Sequence, residues 1–206
     1  MTTAVETWLT AAQMPLDGAM HWSGSSPTSC TAGSFAITAL YPGGCQEHTV
    51  PNDSYPAEQM DTGAFGATGV PTGNGAWGGT TADQEFYSYA SSADAQAAYQ
   101  NITHQILTED SQYAGDTDTY NKNLAVTSTT VTTAQTGDGI AIDNKLRDSD
   151  GKPSELNGNP GNASDRHYYF AVKGDIVEMV VLEGGPAVSD TSGDSAALQT
   201  VVSALG

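Results

Sequence analysis

The stretch His167–Leu182 constrains this chain more than any other. It reads His-Tyr-Tyr-Phe-Ala-Val-Lys-Gly-Asp-Ile-Val-Glu-Met-Val-Val-Leu. Aromatic and β-branched residues fit a pleated surface, and Gly174 beside Asp175 tolerates positive φ. The stretch therefore reads as two strands folded back at Lys173-Gly174-Asp175. With a two-residue loop, Tyr168, Phe170 and Val172 share a face with Val177, Met179 and Val181. That face is apolar and is expected on the core. The opposite face carries His167, Tyr169, Ala171, Ile176, Glu178, Val180 and Leu182. On it, His167, Tyr169 and Glu178 alternate outward and are expected to line a ligand cleft. The plain alternative is an ordinary solvent-facing sheet surface.

Around this hairpin the rest reads as an α+β chain. Ser34–Tyr41 is expected as a strand stopped by Pro42-Gly43-Gly44, and Asp83–Ala90 as another. Ser91 or Ser92 then caps a helix with Asp94 in its first turn and a stripe of Ala95, Ala98, Tyr99, Ile102 and Ile106. His104 faces away from that stripe, toward solvent. Ala125–Ala134 and Ile140–Asp143 read as strands around the turn Thr136–Gly139. A last helix, Ser195–Leu205, carries Leu198, Val201, Val202 and Leu205, with Ser192 or Asp194 as its cap. Val5, Trp8, Leu9 and Ala12 have the spacing of one face of a short helix over 4–14, ended by Pro15 and Gly18. The strands follow one another as a meander with helices inserted. A twisted antiparallel sheet with two main amphipathic helices on one face is the expected architecture. Residues 1–206 are read as a single domain.

Residues 46–80 carry Pro51, Pro56, Pro71 and many glycines, which exclude a long helix. Short edge strands around 62–70 are compatible with them. Trp77, set between glycines, reads as a binding aromatic or as a residue pinning its loop to the core.

Net charge is −18, from 24 acids and 6 bases, and residues 1–121 contain no Lys or Arg. Such a surface repels phosphate backbones and anionic lipid, which argues against nucleic-acid partners. A cationic partner or Ca²⁺ is compatible with it. Only 15% of residues are charged, an exported look when Ser, Thr, Gly and Asn fill the gap. No apolar run approaches the roughly 20 residues needed to span a bilayer. Met1-Thr2-Thr3 reads as a start placed after a removed leader or lipid tether. Cys30 and Cys45, the two cysteines, are expected to form one disulfide, worth about 3 kcal/mol by loop closure.

The sequence offers little for chemistry. Gly193-Asp194-Ser195 lacks the residues that follow a trypsin-type nucleophile, since Ala196 and Ala197 come next; a helix cap explains it. Asp148-Ser149-Asp150-Gly151 matches only part of a calcium loop, because Leu146 stands where an acid is needed. The histidines at 21, 48, 104 and 167 lie singly, with no zinc spacing. No catalytic residue, metal ligand or cofactor is assigned.

Three stretches together carry a likeness. They are Leu9-Thr10-Ala11-Ala12-Gln13-Met14-Pro15, the capped segment Ser92-Ala93-Asp94-Ala95 after an aromatic strand, and the hairpin followed by Ser195–Leu205. Their order resembles the extracytoplasmic sensor domains of actinobacterial PknH-type kinases and their stand-alone lipoprotein relatives. The resemblance implies an α+β domain outside the membrane with an antiparallel sheet and a cleft for an unknown ligand. It carries over no residue, and it departs in cysteines: the PknH domain has two disulfides, and this chain can form one. The expectation is a non-enzymatic ligand-binding or sensor-type module of the cell envelope, with an unknown small ligand or envelope protein as partner. The alternatives are a secreted protein-binding or inhibitor-like protein using the Gly-rich loop around Trp77, and a hydrolase whose site is unrecognised.

Overall fold

The computed structural model describes residues 5–24, 26–30, 56–68, 80–108, 117–118, 124–151 and 165–206. Its organising element is the hairpin of β8 (Asp165–Lys173) and β9 (Ile176–Gly184). Val172 pairs with Val177 and Lys173 with Ile176, so the loop is Gly174-Asp175. Gly174 has φ of 59° and Asp175 has no positive φ. That pattern matches a type II′ turn, whose first central position favours glycine. The register is the one the alternation predicts, with Tyr168 opposite Val181 and Phe170 opposite Met179.

Seven further strands extend this pair into one antiparallel sheet. They are β1 (Trp22–Gly24), β2 (Thr28–Cys30), β3 (Gln59–Ala67), β4 (Thr81–Ser88), β5 (Thr117–Asp118), β6 (Leu124–Gln135) and β7 (Gly139–Asp148). The order is β1-β3-β4-β9-β8-β7-β6-β5, and β2 also pairs with β3. The hairpin thus occupies the middle of the sheet. A strand in that position has neighbours on both edges and needs cover on both faces.

The cover comes from one helix per face. Helix α2 (Ser92–Thr108) joins β4 to the far edge of the sheet and lays Ala95, Ala98, Ile102 and Ile106 on Tyr168, Phe170, Val177, Met179 and Val181. It starts as its sequence predicts: the Asp94 N–H donates to Ser91 Oγ at 3.2 Å, satisfying a free first-turn donor. His104 is exposed, as expected. Helix α3 (Asp194–Ala204) follows β9 through a 3₁₀ turn, Pro186–Ser189, and returns across the other face. Its Leu198 and Val201, with Ala204 and the following Leu205, pack with Tyr169, Ala171, Ile176, Val180 and Leu182. The expected placement of both helices on one face is therefore wrong. α2 covers the apolar face and α3 the mixed one, so the mixed face is as enclosed as the apolar one. Gly139 lets α3 approach β7 closely: a Cβ there would lie 2.8 Å from Phe170 O and 2.7 Å from a Val202 methyl.

Three other expectations change. Residues 5–10 are not helical; only Ala11–Gln13 form a 3₁₀ turn, and α1 is the single turn Asp17–Met20. Instead, Glu6 bridges to Leu205, and the Thr7 N–H donates 2.9 Å to Ala204 O. The end of α3 has carbonyls without helical donors, and an extended strap satisfies one of them. Residues 59–67 form a nine-residue strand, not a short edge strand, because β4 pairs along one side of it and β1 and β2 along the other; Trp8 packs over Gly63. Asp194 does not cap α3; Gly193 takes the cap position, and the carboxylate turns inward. Cys30 is buried at the end of β2. Cys45, the expected pairing with it, the strand predicted over 34–41 and Trp77 lie outside the described residues.

Candidate functional site

An open concavity of about 350 Å³ lies between the strap and α3. Thr7, Leu9 and Gln13 form one wall, and Ala196, Gln199, Thr200, Ser203 and Ala204 form the other. The size is at the lower end of small-molecule sites, roughly 300–1,000 Å³. Among the described residues no charged side chain lines the groove, in a chain whose net charge is −18.

The polar groups in the groove have defined roles. Thr200 and Ser203 donate their hydroxyl protons to helix carbonyls, to Ala196 O at 3.1 Å and Gln199 O at 2.7 Å. What they offer a ligand is acceptor lone pairs. Gln13 Oε1 accepts from Thr10 N–H at 3.0 Å and from Thr10 Oγ1 at 2.8 Å. Gln13 is exposed, which leaves its amide NH₂ as a donor for solvent or a ligand. Gln199 is exposed and carries both kinds of group.

Both walls are held from beneath by residues of the hairpin. On the strap side, Gln84 of β4 is the bracket. Its Oε1 accepts the Leu9 N–H at 2.9 Å, and its Nε2 donates to Glu178 Oε1 at 2.7 Å. Glu178 is fully buried, and its Oε2 has no hydrogen-bond partner. Burial pushes its carboxyl well above the usual range, against the hydrogen bond from Gln84 and with help from the charge of Glu6. Glu6 is also raised, by burial first and then by Asp61. Trp8 meets Phe86 edge to face, with ring centroids 4.8 Å apart, and seats the strap on the core.

On the α3 side, Asp194 is the bracket. Its Oδ1 accepts from Tyr169 OH at 2.8 Å, and its Oδ2 lies 3.1 Å from His167 Nε2. His167 Nδ1 is 2.8 Å from Val188 O. A carbonyl oxygen only accepts, so Nδ1 carries a proton and donates it. Burial raises the Asp194 carboxyl, but bonds from His167 and Tyr169 outweigh it and hold the group below the ordinary value. The His167 and Tyr169 rings stack at 4.7 Å. Alongside, Ser189 donates to Asp143 at 2.7 Å, and Arg147 grips Asp165 with both guanidinium nitrogens, which fixes the 3₁₀ turn ahead of α3.

The hairpin residues nominated from the sequence are thus placed, but not as an open cleft. His167, Tyr169 and Glu178 are fully buried. His167 and Tyr169 meet at Asp194. Glu178 faces Ala171, four rungs of the ladder away from His167, and belongs to the other bracket. With both ring nitrogens engaged, His167 has none left to activate a serine. Among the described residues, no three His, Cys, Asp or Glu side chains converge to hold a metal ion. Asp148 closes its turn through the Asp150 and Gly151 N–H groups.

Sequence reasoning missed Gln84 and the groove itself. Gln84 had a signal: it shares a strand face with Ala82 and Phe86, so alternation places a lone amide on the core. The groove walls had none, because Thr7 and Ser203 are ordinary surface residues until the fold apposes them.

Among the described residues, a nine-stranded antiparallel sheet with one main helix on each face defines an α+β architecture. The chain superposes on the crystal structure of the extracellular domain of PknH from Mycobacterium tuberculosis with a TM-score of 0.55 and 11% identity. The match covers 97% of this chain and 92% of that one. The fold implied by the sequence resemblance is the fold found. No family model and no curated protein matches the sequence.

Proposed function

We propose that this protein is a non-catalytic, extracytoplasmic module of the sensor type, which holds a small ligand in the groove between the strap and α3. The observation that carries the reading is the coincidence of two features. The fold likeness to the extracellular domain of PknH runs nearly the full length of both chains. The concavity sits where two chain segments, each anchored by buried polar contacts, could transmit a change in spacing. Among the described residues no helix is long and apolar enough to cross a membrane.

A thermal-shift screen with cell-wall fragments, sugars, neutral and charged peptides and Ca²⁺ tests it. One class of ligand should raise Tm in a concentration-dependent way. A flat response to every class, together with turnover of an ester, amide or glycoside substrate, would replace the reading with a hydrolase.

A further inference from the structure

The chemistry of the groove narrows the ligand, and the narrowing rests on the ligand-binding reading above. We infer that the groove between the strap and α3 binds an uncharged, hydroxyl-rich ligand: a short stretch of neutral carbohydrate. Each sugar hydroxyl both donates and accepts. The groove sets the Gln13 amide donor against the acceptor lone pairs of Thr200 and Ser203, with Gln199 supplying both. Leu9, Ala196 and Ala204 add apolar surface between these groups, suited to the C–H face of a pyranose ring.

Charge argues in the same direction. An ionic ligand would lose hydration in the groove and find no counter-charge among the described lining residues. An anion would also approach against the field of a chain at −18. A peptide added as a strand needs main-chain donors along the strap. The two strap residues in the wall have none left: Thr7 N–H goes to Ala204 O and Leu9 N–H to Gln84 Oε1. Recognition here is by side chains, and the brackets beneath fix the two backbone segments that carry them before the ligand arrives. Such preorganisation lowers the ordering cost of binding.

The test is a titration of the ¹⁵N-labelled protein followed by amide shifts. The probes are maltotriose, cellotriose and N-acetylated chitotriose, with a glucuronate-containing trisaccharide, deacetylated chitotriose and trialanine amide as contrasts. At least one neutral trisaccharide should move the signals of Gln13, Gln199, Thr200 and Ser203 in a saturable way. The paired substitution Gln199→Ala and Thr200→Val should weaken that binding about tenfold or more, as expected from losing two hydrogen bonds. Both residues lie outside the core, so the remaining spectrum should stay put, and Ser203→Ala alone serves as a second variant if it does not. Binding of a charged probe or the peptide in place of every neutral sugar overturns the inference and leaves the sensor reading standing. Sugar shifts confined to another surface do the same. No binding by any probe here, with a flat thermal-shift screen, removes both.

Discussion

The two faces of the β8–β9 hairpin are covered by helices of similar amphipathic design, yet they are held in different ways. Under α2, Tyr168, Phe170, Val172, Val177, Met179 and Val181 meet Ala95, Ala98, Ile102 and Ile106, and the contact is apolar. Under α3, the same two strands present His167, Tyr169 and Glu178 among apolar neighbours, and every one of these is fully buried. Their partners come from far along the chain. Asp194 is 27 residues from His167, and Gln84 is 94 residues from Glu178. The first face is specified by local alternation and by volume. The second is specified by pairwise chemistry that only the finished topology brings together. The groove belongs to the second face, where both of its walls hang on such pairs.

The sharpest way to break the comparison is to remove volume from the first face. Phe170→Ala should cost about 3–5 kcal/mol, the usual loss for a buried aromatic. Urea unfolding at pH 4 and pH 7 should give the same loss, because no charge is involved. The groove-side residues should keep their amide shifts in the folded variant. A loss that changed strongly with pH would mean that the α2 face depends on an ionisable group, and the contrast would collapse.

The matching operation on the second face is Asp194→Ala. It strands the His167 ring nitrogen and the Tyr169 hydroxyl in a buried site, and a cost of about 3 kcal/mol at neutral pH is expected. Here pH matters. The Asp194 carboxyl lies below its ordinary value of 3.8 in the folded protein, so its contribution is complete above that value and is lost as pH falls through the folded pKa. The variant and the parent should therefore converge in stability in strong acid, while Phe170→Ala keeps its deficit. If Asp194→Ala cost the same at every pH, the contact would be packing alone.

The same contrast explains what was legible in the sequence. The hairpin, its turn, its register and α2 with its Ser91 cap follow from residues a few positions apart, and all were readable. So was the fold by resemblance. The side of the sheet taken by α3 was not, since a stripe of Leu198, Val201 and Leu205 fits either face equally well. The helix predicted over 4–14 failed because the strap finds its hydrogen bonds at Ala204 and Gln84, which its own sequence cannot show. His167, Tyr169 and Glu178 were expected to alternate outward and line a cleft, and all three are buried. Their role was misread as surface recognition, because alternation reports which side a residue is on and is silent about what covers that side.

The smallest expected effect tests how far the apolar description of the first face extends. Asp83 pairs with Val181, so it points to the same side as the α2 cluster but sits on β4, nearer the sheet edge. Burial, and then the charge of Glu183, push its carboxyl up to about 6 from an ordinary 3.8. Between these values the folded protein holds a proton that the unfolded chain has released. Stability on this account falls as pH rises from about 3.8 to about 6 and stays reduced above it. The full shift corresponds to about 3 kcal/mol, and partial exposure of the group to water reduces that to about 1–2 kcal/mol. Asp83→Asn should therefore raise the urea midpoint at pH 7 by that amount and leave it unchanged below pH 4. A gain of equal size at both pH values would assign the effect to packing. No gain at pH 7 would mean that water reaches the carboxylate, and that the dry part of this face ends on β4 between Glu85 and Asp83.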